Sequence, residues 1–277
     1  CASCAIEYRL GYTRQPMQVL ALDFDGVVCD SAQEVFLVGL RTFTDFFPDS
    51  TLVRRFLDAE PSERELDDLF SAFSDLLPLG NRAEDFGVAL RAIDDGVAIA
   101  TQKEYDRFYS TLDPSWLHAF HSRFYEQRAA LRDHDCDAWT RLHSAYREFT
   151  DRLEEMSERV RLAVVTAKDR TSARLLLAHF GLDALFADEL VLDKEIGARK
   201  SGHLGVLQAR VDVPFEAITF VDDKVNHLLE VTDLGVGRVL AGWGYNTDRE
   251  YEIARGHGIP VATFENVERV LFEDVGR

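Results

Sequence analysis

Two aspartates two residues apart, Asp23 and Asp25, stand at the end of the apolar run Val19-Leu20-Ala21-Leu22, and Gly26 follows at once. An apolar run this short reads as a buried strand of a parallel sheet. Its carboxyl end is the edge where open α/β sheets hold their ligands. Two unpaired carboxylates are costly to bury there, and a bound cation would remove that cost. One of them could also attack an electrophile, because aspartate serves as a covalent nucleophile in phosphoryl transfer. Taken alone, the pair reads equally well as an acidic turn after a strand.

Partner stretches farther along decide between these readings. The run Leu22-Asp23-Phe24-Asp25-Gly26-Val27-Val28-Cys29-Asp30-Ser31 resembles the first motif of the haloacid dehalogenase (HAD) superfamily, Asp-x-Asp-Gly-(Val/Thr)-(Val/Leu)-x-Asp-Ser. The apolar run 161–165 ends in Thr166, which matches the second motif, a strand ending in Thr or Ser. Lys200 matches the third, a lysine at a helix start, with Lys194 and Arg199 as weaker substitutes; Ser201 stands where a proline often follows. The run 217–221 ends in Asp222-Asp223 and matches the fourth motif, an apolar strand ending in one or two acids. Asp223 falls on the invariant acid, Asp222 replaces the usual glycine, and His227 or Asn226 replaces the last acid. Each motif alone is weak. All four in order are far more specific, and they span the chain after its first sixteen residues.

The resemblance implies an α/β fold: a Rossmann-like core with a parallel sheet flanked by helices, plus an inserted all-helical cap. It implies an Mg²⁺-dependent phosphohydrolase acting on a small phosphorylated metabolite through an aspartyl-phosphate. Asp23 would be the nucleophile, and Asp25 the general acid and then the general base. Asp23, the backbone carbonyl of Asp25, Asp222 and Asp223 would hold the metal. Thr166, the backbone at Ala167 and Lys200 would hold phosphate oxygens. Asp25 argues against a dehalogenase, since members that cleave carbon–halogen bonds lack that acid. A phosphonate hydrolase would need a cap lysine, and only Lys103 is available, in a helix-opening Thr101-x-x-Glu104. The alternatives are a phosphomutase with the same core chemistry and a non-catalytic binding or regulatory protein of this fold. His227 reads as a hydrogen-bond partner of the acids or a plain helix residue.

Several elements must position these residues. Ser31-Ala32-Gln33-Glu34 reads as a capping box opening a helix that stops near Pro48. Ser62-x-x-Glu65 opens another, and Asp113-Pro114 an N-cap and first turn. Trp139, Leu142, Tyr146, Phe149, Leu153 and Met156 follow a spacing of 3, 4, 3, 4, 3, which predicts one more helix with its face in a helical bundle. Residues 32–157 thus read as the helical cap, with hinges near Asp30-Ser31 and 157–161; residues 17–31 and 158–277 read as the catalytic core. Strands are expected at 161–166, 189–192, 217–221 and 236–245, the last with a glycine-rich exit, and helices at 170–180, 249–255 and 267–272. Gly242-x-Gly244 reads as a turn rather than a nucleotide loop.

The chain has 277 residues and a formal charge of −18, which disfavours nucleic acid as a partner. Only five lysines are present, and four of them (Lys168, Lys194, Lys200, Lys224) lie beside the later motifs. No stretch is long and apolar enough to span a membrane. Cys1, Cys4, Cys29 and Cys136 read as free thiols in a reducing, cytoplasmic compartment, because nothing completes a zinc set with Cys1-x-x-Cys4. Residues 1–16 read as a tail without assigned function, and the sequence fixes neither the substrate nor the oligomeric state.

Overall fold

The computed structural model describes residues 17–55, 63–80, 82–197 and 199–273. The tail 1–16, Cys1 and Cys4, and the helix-opening Ser62 lie outside them. The strands are β1 (Val19–Leu22), β2 (Cys29–Asp30), β3 (Ser144–Ala145), β4 (Arg161–Val165), β5 (Val191–Leu192), β6 (Ile218–Asp222), β7 (Gly237–Ala241) and β8 (Val261–Ala262). Six of them form one parallel sheet in the order β5-β4-β1-β6-β7-β8. β1 lies at its centre, with Leu22 level with Val164 on one side and Val221 on the other. That register puts Asp23, Thr166 and the Asp222-Asp223 pair at the same carboxyl edge.

Alternation along β1 explains why both faces are covered. Leu20 and Leu22 join one apolar cluster with Leu176, Leu177 and Val270; Val19 and Ala21 join another with Leu204, Leu207 and Leu228. Fully burying such side chains stabilises the fold by roughly 1.5–3 kcal/mol each. The two clusters bring helices 170–180 and 267–272 to one face, and helices 200–211 and 225–230 to the other. The expected strand 189–192 is shorter than its apolar run: Asp188–Leu190 forms a 3-10 turn and only Val191–Leu192 pairs.

Between β2 and β3 lie α1 (Ala32–Phe46), α2 (Thr51–Val53), α3 (Glu63–Ser74), α4 (Ala83–Asp94), α5 (Gln102–Tyr109) and α6 (Pro114–His134). Val38, Phe43, Phe73, Val88, Leu90, Phe120 and Phe124 make their common core. Asp113 caps α6 as expected, its side chain accepting from the Ser115 N–H at 2.8 Å.

The single helix expected over 139–156 is not formed. The chain there is α7 (Cys136–Thr140), strand β3, α8 (Arg147–Thr150) and α9 (Leu153–Ser157). Residues 144–145 instead pair antiparallel with residues 29–30, just after the first motif. Trp139, Phe149, Leu153 and Met156 are buried in the cluster of β1 and β4, not in the helical bundle. A 3.6-residue period fits any surface that meets a core, and it does not say which core.

The capping box at Ser31 is also absent. The Ser31 side chain caps nothing; its hydroxyl donates to Asp25. Glu34 instead accepts two 2.7 Å bonds from the Arg128 guanidinium. Charge-assisted partners are stronger than the backbone N–H groups of a first turn, so tertiary contacts override the local motif. Asp30 does the capping, accepting from the Ala32 N–H at 2.9 Å.

Candidate active site

A tight turn follows β1. The N–H groups of Val28 and Cys29 both donate to the Phe24 carbonyl at 2.9 Å, and Gly26 takes a positive φ of 85°. That φ and the space both call for glycine, since a Cβ would overlap the Asp223 carboxylate. The turn keeps Asp23 buried at the strand end while Asp25 reaches the cleft farther out.

Asp23 Oδ1 accepts from the Phe24 N–H at 2.7 Å and lies 2.9 Å from Lys200 Nζ. Burial pushes the Asp23 carboxyl up to about 6, against the pull of Lys200. Lys200 heads the helix Lys200–Val211, α11 after α10 (Arg170–Phe180). Its ammonium also meets the Val165 carbonyl at 2.8 Å and Asp222 Oδ2 at 3.3 Å. Its three N–H donors therefore tie β4, β1 and β6 together. Lys194 and Arg199 pair elsewhere, with Glu195 at 3.7 Å and Glu230 at 3.6 Å.

Asp222 and Asp223 differ. Asp222 accepts from the Lys224 N–H at 2.8 Å and sits 3.0 Å from His227 Nδ1, so His227 is its hydrogen-bond partner. Burial opposes its charge, yet His227 and Lys200 together hold the carboxyl below the usual range. Asp223 accepts from the Tyr245 N–H at 2.8 Å and meets Lys224 Nζ only at 3.9 Å. Burial drives it well above the usual range, and Asp222 adds to the shift. Its Oδ1 is buried without a hydrogen-bond partner among the described residues. Asp23, Asp222 and His227 each present a ligand atom within 4.8 Å of the others.

Asp25 lines the same cleft as Asp23 but has different partners. Lys168 Nζ lies 3.0 and 3.1 Å from its two oxygens, and Ser31 donates to it. Burial would raise its pKa, but Lys168 and Ser31 outweigh that and hold it below the usual range. Thr166 directly follows β4; its oxygen accepts from the Lys168 N–H at 3.0 Å, leaving the hydroxyl proton to donate. Thr166 and Ala167 line the cleft with Asp23 and Asp25, whereas Lys200, Asp222 and Asp223 stand behind it.

The helical insert forms the opposite wall through Val35, Leu77, Ala83, Phe86, Phe124 and Tyr125. It is tied to the core by Tyr125, whose hydroxyl donates to the Ala167 carbonyl at 3.1 Å, and by Lys224, whose ammonium donates to the Leu77 carbonyl. Sequence reasoning gave no role to Lys168, Lys224, Tyr125, Tyr245 or Arg128. The two lysines had a signal: Lys168 stands two residues past Thr166, and Lys224 directly after the acid pair. The wall residues had none, because apolar and aromatic positions on helices look alike whether they face a core or a cleft.

No protein-family model matches this sequence, and no curated protein matches it. Solved structures do match its fold. A predicted phosphatase from Clostridium acetobutylicum superposes with a TM-score of 0.63 at 12% identity, over 94% of this chain and 100% of that one. A predicted phosphoglycolate phosphatase from Haemophilus somnus gives 0.60 at 18% identity, over 94% and 99%. A haloacid dehalogenase-like hydrolase from Streptococcus pneumoniae gives 0.60 at 12%, over 92% and 97%. The fold is thus shared with these haloacid dehalogenase-like and phosphatase structures along nearly the whole length. Among the described residues, no helix is long and apolar enough to cross a membrane.

Proposed function

We propose that the protein is a metal-dependent phosphohydrolase that cleaves a small phosphate monoester through an aspartyl-phosphate on Asp23. One observation carries the reading: Asp23, Asp25, Thr166 and Ala167 line a single cleft at the sheet's carboxyl edge, with Lys200 and the acid pair directly behind. The donor set fits a hard divalent cation. Asp23 and Asp222 present ligand atoms within 4.8 Å of each other, and Asp223 Oδ1, next to Asp222 in sequence, is a buried acceptor that no described group satisfies. Asp23, the Asp25 carbonyl, Asp222 and Asp223 would hold Mg²⁺, which when bound offsets negative charge and polarises the phosphoryl group. The free Oδ1 of Asp223 favours it as a direct ligand, since both oxygens of Asp222 already have partners.

The chain's own groups supply the rest. Lys200, 2.9 Å from Asp23 Oδ1, favours the ionised carboxylate against burial and holds that oxygen in place. Thr166 offers its hydroxyl proton to a phosphoryl oxygen, and the Ala167 backbone faces the same place. Asp25 is placed to give a proton to the leaving oxygen and then to take one from the water that hydrolyses the acyl phosphate. Because Lys168 and Ser31 hold it ionised, Asp25 must first take up a proton from solvent, with Lys168 moving off it, before it can serve as the acid. The cap helices exclude water while this happens. Phosphate release from p-nitrophenyl phosphate tests the reading: it should require Mg²⁺ and vanish in Asp23→Asn. Turnover unaffected by either change sinks it.

A further inference from the structure

The cleft has an unusual distribution of charge. On the cap side its wall is apolar: Val35, Leu77, Ala83, Phe86, Phe124 and the Tyr125 ring. Three cations also border it, and each is already engaged. Arg128 makes two 2.7 Å bonds to Glu34, and both groups are buried. Its guanidinium also stacks 4.8 Å from the Phe124 ring centre. Lys168 bridges both oxygens of Asp25 at 3.0 and 3.1 Å. Lys224 donates to the carbonyls of Leu77 and Tyr245. The Tyr125 hydroxyl is spent on Ala167. Among the described residues, the space beyond the phosphoryl position therefore offers mostly hydrocarbon, the Asp25 carboxylate and, while Lys168 holds Asp25, no cation without a partner.

We propose that the leaving group of the substrate is uncharged and largely apolar, an aryl or hydrocarbon alcohol, and that the cleft rejects esters whose leaving group bears a carboxylate. This rests on the phosphohydrolase reading and names its substrate class. A carboxylate entering this space would lose its water, meet only cations already hydrogen-bonded within the protein and lie near Asp25. An aromatic or aliphatic group would instead pack on Phe86, Phe124 and Val35. The Glu34–Arg128 pair is the device that sets this preference: without Glu34, Arg128 would stand as a free counter-ion at the cleft wall.

Two inert ligands test the pocket apart from turnover. Benzylphosphonate and phosphonoacetate share a phosphonate head and differ in an aromatic ring against a carboxylate. Titration calorimetry with Mg²⁺ present should find benzylphosphonate at least about tenfold tighter. Equal affinity, or a preference for phosphonoacetate, overturns the proposal. Glu34→Gln should narrow the gap by freeing Arg128, and an unchanged gap in folded Glu34→Gln removes that pair from the account of selectivity. If the variant does not fold, the wild-type comparison still decides. Turnover of benzyl phosphate against phosphoglycolate separates the two readings. Preferential binding with no phosphate released from either ester sinks the hydrolase and leaves the pocket's selectivity standing; faster release from phosphoglycolate sinks the selectivity and leaves the hydrolase.

Discussion

Asp23 and Asp25 are two residues apart, and their surroundings give them opposite characters. Asp23 is buried against Lys200, with Asp222 adding negative charge behind it; Asp25 is held ionised by Lys168 and Ser31. The proposed roles predict different kinetics for their variants. Asp23→Asn should abolish turnover, while a phosphonate still binds. Asp25→Asn should lose more on an alkyl phosphate, whose leaving oxygen needs a proton, than on p-nitrophenyl phosphate. The difference should approach the 10²–10⁴-fold usual, roughly, for general acid–base assistance. Steady-state kinetics on both esters, with quench trapping of the phosphoenzyme, measures it; equal losses on both esters would remove Asp25 from the acid role. EDTA should abolish turnover of the wild type, and added Mg²⁺ or Mn²⁺ should restore it.

At the scale of elements, two contacts join segments far apart in sequence. Gly244 follows β7, and a Cβ there would collide with Asp223 and the Gly26 carbonyl. Gly244→Ala should cost about 1–3 kcal/mol by overpacking and weaken the metal dependence, because Asp223 must shift. Denaturant melts and an Mg²⁺ activation curve read the two effects; an unchanged Mg²⁺ curve would show that Asp223 is no ligand. The Glu34–Arg128 pair joins α1 to α6. Burial alone would raise the Glu34 pKa, but Arg128 and its hydrogen bonds lower it from 4.5 to about 2. A depressed carboxyl contributes its stability fully above the unfolded value and loses it as pH falls through the folded one. Glu34→Gln should therefore cost about 3–5 kcal/mol at pH 7, leaving Arg128 buried without a counter-charge. The deficit should shrink between pH 4.5 and about 2, and a deficit independent of pH would point to packing instead.

Across the whole molecule, the insert divides by packing. Residues of α1–α6 share one core, while Trp139, Phe149, Leu153 and Met156 belong to the core of the sheet. Leu131, near the end of α6, touches both. A cap that closes as a unit would then comprise 32–134, with its joints near Asp30-Ser31 and at 134–136. Hydrogen exchange should then reveal two cooperative units, with 136–157 protected together with β1 and β4. A phosphonate ligand should slow exchange at both joints. Exchange of 136–157 in step with α1–α6 would move the second joint back toward 157–161.

How much of this was legible in the sequence depends on the range of the interaction. The strand ends were readable because an apolar run that stops at Asp23, Thr166 or Asp222 exposes its polar residue at one edge of any parallel sheet. The end of the helix expected at 170–180 was readable for a local reason, since Gly181 follows it and takes a positive φ of 75°. Local patterns failed where a distant charge outbid them. Ser31 and Glu34 form a capping box on paper, yet Asp25 and Arg128 take them in the fold. The face Trp139–Met156 was correctly apolar but was given the wrong core, since periodicity encodes burial and not the burying partner. The sequence by itself therefore determined the order of the strands' chemistry and the presence of a helical insert. Only the tertiary structure decided which cations beside the cleft are already paired, because that depends on partners such as Glu34 for Arg128 and Asp25 for Lys168 across long stretches of chain.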